Sequence, residues 1–225
     1  MNVWKHGGLC LLICAALAAP ATAGQIVDRM VANVNGHILL QSDWEEELAF
    51  EAFVDGRPSD SFTAEERKAA LDRLIDQELL REQVRPSEEA PAAEIARRVS
   101  EVRKLHPEAV TDDGWHAALL RWGLTQPELE KRLGESMQLM RLVEARLRPS
   151  IQIDQKAVES YYHDQLIPEL KKAGNREVAL PEVFGHIRDL LAEQRLNQLL
   201  RGWLASLRSA SHIQTAQASG GEQTP

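Results

Sequence analysis

The chain has 225 residues, of which 44% are hydrophobic and 27% charged, and this composition is typical of a folded globular protein rather than a disordered, fibrous or membrane-filling one. Lysine and arginine total 26 against 34 aspartate and glutamate residues, which gives a formal net charge of -8. A phosphate backbone would be repelled by this charge, so the composition argues against nucleic acid as a partner.

The first 23 residues have the features of a secretory signal peptide. A lysine precedes an uncharged apolar run from Leu9 to Ala19, and Ala21-Thr22-Ala23 places small residues where a signal peptidase cleaves. The run is shorter than the ~20 residues that a membrane-spanning helix needs. We therefore expect cleavage after Ala23, a periplasmic location and no stable membrane insertion. Both cysteines, Cys10 and Cys14, would leave with this peptide, so the mature protein would have no disulfide.

The mature chain begins with a predicted β-hairpin. Ile26 to Val34 is rich in valine and isoleucine, Asn35-Gly36 is a strong two-residue turn signal, and His37 to Leu40 is a second apolar run. Near the other end of the chain, His212 to Thr215 has the composition of a short closing strand.

Between these strands the chain is predicted to be helical. Three pairs have the spacing of a capping box, namely Ser42 with Glu45, Thr63 with Glu66 and Thr125 with Glu128. Apolar spacing together with start and stop residues predicts helices at Asp43 to about Val54, Thr63 to about Arg85, about Ala92 to Leu105, Asp112 to Gly123, Thr125 to about Arg148, Asp154 to Tyr162, and Leu180 to Leu207.

The helix predicted after Thr125 carries a continuous apolar stripe. Its members are Leu129, Leu133, Met137, Met140, Val143 and Leu147. Leaving such a stripe in water would forgo ~1.5 to 3 kcal/mol for each large side chain, so it must pack against other helices. The expected fold class is therefore mainly α, with a small N-terminal β-hairpin and a C-terminal strand.

The order of these elements resembles the SurA family of periplasmic chaperones. The segments that carry the resemblance are VNG at the hairpin turn, ILLQSD, ALDRLIDQELLREQ, GLTQPELEKRLGESMQLMRLVEARLRPSIQI, and Trp203 to Arg208. The resemblance implies a multi-helix chaperone core in which the C-terminal helix and strand return to the N-terminal hairpin. It also implies a role in holding unfolded outer-membrane proteins.

The chain departs from this family at one place. Typical members carry parvulin-type prolyl isomerase domains of about a hundred residues, as the resemblance implies, but only Asp164 to Leu180 separate His163 from Pro181 here. We therefore predict no isomerase activity. The predicted organisation is a single module over residues 24–215, with an N-terminal helical part at 24–150 and a connector and C-terminal helix at 151–215. A disordered tail is predicted at 216–225.

No motif in the sequence predicts catalysis, a cofactor or a metal. The histidines lack the two-His helical spacing and the Cys/His clustering of zinc sites. Neither a nucleophile elbow nor a glycine-rich phosphate loop is present. Adjacent carboxylates such as those at Glu45 to Glu47 are explained by the favourable dipole at a helix start.

Apolar helix faces are therefore the candidate functional surface. On the helix from Asp43, Trp44 and Leu48 lie on one face. Phe50, Phe53 and Val54 lie on roughly the opposite face. If one face is core, the other is an exposed patch suited to binding extended apolar segments, unless a neighbouring helix or a second copy of the chain covers it. The candidate client-binding residues are Phe50, Phe53, Val54, Trp115, Leu119 and Trp122.

These observations lead to a functional hypothesis with two rivals. The leading hypothesis is an ATP-independent periplasmic holdase that shields unfolded or partly folded envelope proteins, including outer-membrane proteins. The first rival is a dedicated envelope assembly protein, with the same faces buried in one permanent partner or in a homodimer. The second is a prolyl isomerase that uses an unrecognised site.

Overall fold

The computed structural model describes residues 28–58, 62–84 and 89–216. The predicted signal peptide, the first residues of the predicted hairpin and the predicted tail beyond Ala216 lie outside the described residues. The described part is mainly helical with a small antiparallel sheet, so the expected fold class is confirmed. None of its helices combines the length and hydropathy needed to cross a bilayer.

Strands frame the described chain at both ends, and helices fill the space between them. The strands are β1 at Met30–Val34, β2 at His37–Leu40 and β3 at Ile213–Thr215. The helices are α1 at Gln41–Val54, α2 at Ala64–Arg81, α3 at Ala92–Lys104, α4 at Asp112–Arg121, α5 at Gln126–Leu147, α6 at Gln155–Tyr161, α7 at Ile167–Lys172 and α8 at Leu180–Ala210. A π-helical segment, Tyr162–Leu166, joins α6 to α7.

The sheet brings the two ends of the described chain together. Its strand order is β2-β1-β3, with both neighbours antiparallel to β1. The turn uses Asn35 at φ 52 and Gly36 at φ 96, values that match the two-residue turn expected from this dipeptide. Because β3 follows α8 directly, the expected return of the C-terminal helix and strand to the hairpin is confirmed.

Asn35 connects three elements that are distant in sequence. Its side-chain amide donates to both carboxylate oxygens of Glu82 at 2.9 Å, just after α2, and to the Ser211 hydroxyl at 3.2 Å. Its side-chain oxygen accepts from the His212 backbone N–H at 2.8 Å, and its own backbone N–H donates to the His212 carbonyl at 2.9 Å. The hairpin turn therefore holds α2 and the α8–β3 junction together.

Replacing Asn35 with alanine is expected to lower the free energy of unfolding by about 2 kcal/mol, because the change removes the side-chain hydrogen bonds and because alanine tolerates positive φ less well than asparagine. Asn35→Gly removes the same bonds but tolerates the backbone angle, so about half of that loss is expected. Urea unfolding of both variants measures the difference. Equal stability of the glycine variant and the wild-type protein would contradict a role for the side-chain bonds.

Most helix starts follow the predicted capping signals, and two differ. Thr63 and Thr125 cap α2 and α5 with the expected glutamates. Ser42 does not cap α1, because its hydroxyl donates to the Asp28 carboxylate, and the Asp43 carboxylate accepts from the Leu40 N–H instead. The cap of α4 is likewise Thr111 rather than the predicted Asp112. α2 ends at Arg81, before the predicted limit.

Three apolar clusters form the interior. The first joins α1, α3, α4 and the start of α5, the second joins the sheet to α2, and the third joins the ends of α2 and α5 to α8. The stripe predicted on α5 is largely buried in the first and third clusters. Met140 is the exception at 57% exposure, and the nearby Leu142 is buried instead. The predicted burial of Met140 is therefore wrong.

Candidate functional site

The structure places the six candidate client-binding residues inside the first apolar cluster. Four are buried, namely Phe50, Phe53, Trp115 and Leu119, while Val54 and Trp122 are partly buried and pack against them. Of the two alternatives that the sequence left open, an exposed patch or a covered face, the structure shows the covered face. A client cannot reach Phe53, Trp115 or Leu119 while the protein keeps this conformation.

The reason is that both apolar faces of α1 are covered. Trp44 packs against the cluster under the sheet, and Phe50 and Phe53 pack against α3, α4 and α5. The Phe53 ring stacks on His106 at 4.2 Å between centroids, and the His106 Nε2 lies 2.8 Å from the Phe53 carbonyl oxygen. A neighbouring helix thus supplies the cover, as in the rival interpretation of the sequence.

A cleft between α1, α2 and α5 is the candidate binding surface. It has a volume of about 770 Å³ and opens to solvent. Its lining comes from β2, α1, the segment after α1, α2 and α5: His37, Leu39, Asp43, Glu46, Glu47, Leu48, Phe50, Glu51, Val54, Asp55, Arg57, Phe62, Glu66, Ala69, Arg73, Leu74, Gln77, Arg81, Arg132, Glu135, Ser136 and Leu139.

The floor and the rim of the cleft differ in character. Buried apolar side chains such as Leu39, Leu48 and Leu74 contribute to the floor. Carboxylates and guanidinium groups dominate the rest of the lining, and the carboxylates outnumber the guanidinium groups. An apolar floor beside charged and hydrogen-bonding groups can bind both the side chains and the main chain of an extended polypeptide.

An ion pair between the buried Glu47 and the partly buried Arg132 joins α1 to α5 across the cleft. The Glu47 side chain is 10% exposed and accepts from the Arg132 guanidinium at 2.6 Å and from the Gln77 amide at 2.8 Å. The Arg132 guanidinium also lies over the Phe50 ring, 4.1 Å from its centroid. This arrangement fixes the spacing between α1, α2 and α5 and therefore the width of the cleft.

The other arginines of the cleft are also paired with carboxylates. Arg73 forms a two-pronged contact with Glu51, and this hydrogen bonding raises the pKa of the guanidinium. Arg81 donates to the buried Glu78 at 2.5 Å, and the Nδ1 of His37 on β2 lies 2.9 Å from the same carboxylate. Since each guanidinium is neutralised by a partner, the surplus carboxylates give the cleft a negative character.

Glu66 on the rim provides a pH-dependent test of the cap of α2. The Thr63 backbone N–H, followed by the Thr63 hydroxyl, lowers the pKa of the Glu66 carboxyl. The folded state then binds fewer protons than the unfolded state in acid, so this contribution to stability is present above pH 4.5 and is lost as the pH falls further. Glu66→Gln should therefore show a shallower loss of stability below that pH in urea unfolding. Parallel acid profiles for the variant and the wild-type protein would contradict the assignment.

A second cavity of about 510 Å³ adjoins the first. Glu46, Phe50 and Arg132 line both cavities, and Trp122 and Leu124 line the second alone. The Arg132–Phe50 contact therefore lies between them. Trp122 is the one member of the predicted client-binding set that lines only this cavity.

The comparisons with known proteins assign the chain to no family. The chain matches no protein-family model and no curated protein significantly. Across the described residues, no group of three or more His, Cys, Asp or Glu side chains is placed to hold a metal ion. The cleft is therefore interpreted from its own chemistry.

Sequence reasoning missed the cleft because its charged groups come from separate elements. Glu47 and Arg132 meet across 85 positions of sequence, and Arg73 meets Glu51 across 22. The acidic run at Glu45 to Glu47 was the available signal. All three members lie beyond the first turn of α1, whose acidic residue is Asp43, so the explanation of this run by the helix dipole is wrong.

Proposed function

We propose that the protein is an ATP-independent holdase that binds unfolded envelope proteins in the periplasm, and that its client site is the cleft between α1, α2 and α5. The cleft carries this proposal, since it combines apolar floor residues, paired charges and an opening to solvent. The resemblance to SurA-family chaperones supports the same role. Of the predicted client-binding residues, the proposal keeps Phe50 and Val54, which line the cleft, and sets aside the buried Phe53, Trp115 and Leu119.

The test is suppression of aggregation of a urea-unfolded outer-membrane protein at a near-stoichiometric ratio without nucleotide, measured by light scattering. The wild-type protein should keep most of the client soluble. Ser136→Trp should reduce this protection severalfold, because Ser136 is exposed, lines the cleft and would fill it with an indole.

Ser100→Trp is the matched control, since Ser100 is an exposed serine on α3 that does not line the cleft. This variant should protect as well as the wild-type protein. Absence of protection by the wild-type protein would refute the holdase function. Equal protection by both tryptophan variants would refute the cleft as the client site.

The second candidate is a dedicated assembly protein with a permanent partner or a homodimer. Val110 at 86% exposure, Leu120 at 70% and Leu190 are exposed apolar side chains of the described residues, and an interface that covered them would gain apolar contacts. Light scattering coupled to gel filtration at two protein concentrations discriminates the candidates. A concentration-independent dimer without client protection would favour this alternative.

A further inference from the structure

The outer edge of β2 leaves the main-chain groups of one residue unpaired. Val34 and His37 flank the two-residue turn and form a hydrogen-bonded pair. Hydrogen-bonded and non-hydrogen-bonded pairs alternate along an antiparallel ladder, so the next pair, Ile38 with Asn33, is not hydrogen-bonded. The N–H and C=O of Ile38 therefore point away from β1. The Asn35 N–H donates to the carbonyl of His212, the residue before β3, which is the direction that this alternation requires. Within the described ranges, no residue supplies a partner for the outward groups of Ile38, which is 51% exposed.

The open part of this edge is short. Leu40 is the next residue whose N–H points outward, and the Asp43 carboxylate accepts that N–H at 2.7 Å. The edge therefore offers one donor and one acceptor on the same residue. A single residue of an extended chain satisfies both with two hydrogen bonds.

The edge also borders the cleft. His37 and Leu39, the two neighbours of Ile38, both line it. A chain that pairs with Ile38 therefore lies beside the apolar floor and can place its flanking side chains there. Two hydrogen bonds alone are too few to hold a second folded copy of the protein, whereas a segment that also fills the cleft gains apolar contacts.

We propose that an extended segment of an unfolded polypeptide adds to the outer edge of β2, pairing its main chain with Ile38 and continuing into the cleft. This inference rests on the proposed function and names how the client is bound. Every residue other than proline offers the same N–H and C=O, so pairing at Ile38 holds segments of different sequence. The apolar floor then selects segments that carry apolar side chains.

The probe is a fluorescein-labelled peptide of alternating valine and threonine with a lysine at each end, and its binding to the full chain is measured by fluorescence anisotropy. Ile38→Pro removes the outward N–H and should weaken binding about tenfold, while Ile38→Val keeps it and should bind like the wild-type protein. N-methylation of alternate residues of the peptide should weaken binding to the wild-type protein about tenfold as well. Binding of this methylated peptide should differ little between the wild-type protein and Ile38→Pro.

Thermal unfolding followed by circular dichroism shows whether the proline variant is folded. If it is unfolded, binding of the methylated peptide to the wild-type protein tests the proposal instead. Unchanged binding of the methylated peptide would overturn the proposal. Loss of peptide binding with Ile213→Pro on β3 but not with Ile38→Pro would also overturn it. A wild-type dimer that Ile38→Pro converts to a monomer would overturn it too, because the edge would then bind a second copy of the chain. Failure of the holdase function is a separate result, in which the wild-type protein neither protects the client nor binds the peptide.

Discussion

Replacing Phe53 with alanine is expected to lower the free energy of unfolding by about 3 to 5 kcal/mol. The side chain is 0% exposed and lies at the centre of an aromatic group, with ring centroids 4.2 Å from His106, 5.6 Å from Trp115 and 5.8 Å from Trp122. Truncation leaves a cavity that these rings cannot fill without moving. The measurement is urea unfolding followed by far-ultraviolet circular dichroism.

Leu120→Ala is the control, because Leu120 lies on α4 beside the same cluster and is 70% exposed. Its effect should stay within about 0.5 kcal/mol. The pair of variants distinguishes a core role for Phe53 from the client-binding role that its position in the sequence suggested. A Phe53→Ala variant with wild-type stability but lost client protection would contradict the core assignment.

Local signals predicted the elements well because the interactions behind them span a few residues. Asn35-Gly36 sets its own turn through backbone angles, and Thr63 and Thr125 bond glutamates three positions away. Ser42 failed as a cap because Asp28, fourteen positions earlier, offers its hydroxyl a competing acceptor. A capping pattern thus holds only where no distant group competes for the capping side chain.

The site was harder to predict because periodicity identifies an apolar face but not what covers it. Phe50 and Phe53 are apolar at the expected spacing, yet their burial depends on α3, α4 and α5 packing over them. The cleft depends in turn on contacts such as Arg132 with Glu47, which no local pattern contains. The fold class followed from local rules, and the site followed from tertiary contacts.

The ion pair between Glu47 and Arg132 gives the second large effect. Arg132→Met is expected to destabilise the protein by about 3 kcal/mol, because it leaves the carboxylate of Glu47 with only the Gln77 amide as a partner in a largely buried position. Glu47→Gln should cost less, because the Arg132 guanidinium that loses its countercharge is 24% exposed and stays partly hydrated. Methionine is chosen because it retains an apolar side chain of comparable length over the Phe50 ring.

Arg146→Met is the matched control on the same helix, since the Arg146 guanidinium lies 4.6 Å from the Trp203 ring centroid but on an exposed residue. Its effect should stay below about 1 kcal/mol. The double variant of Glu47 and Arg132 should lose less stability than the two single losses added together, because neither partner then remains as an uncompensated charge. If the losses of the two single variants simply add up in the double variant, the two groups do not stabilise the protein through each other. The ion pair would then not be the contact that sets the width of the cleft.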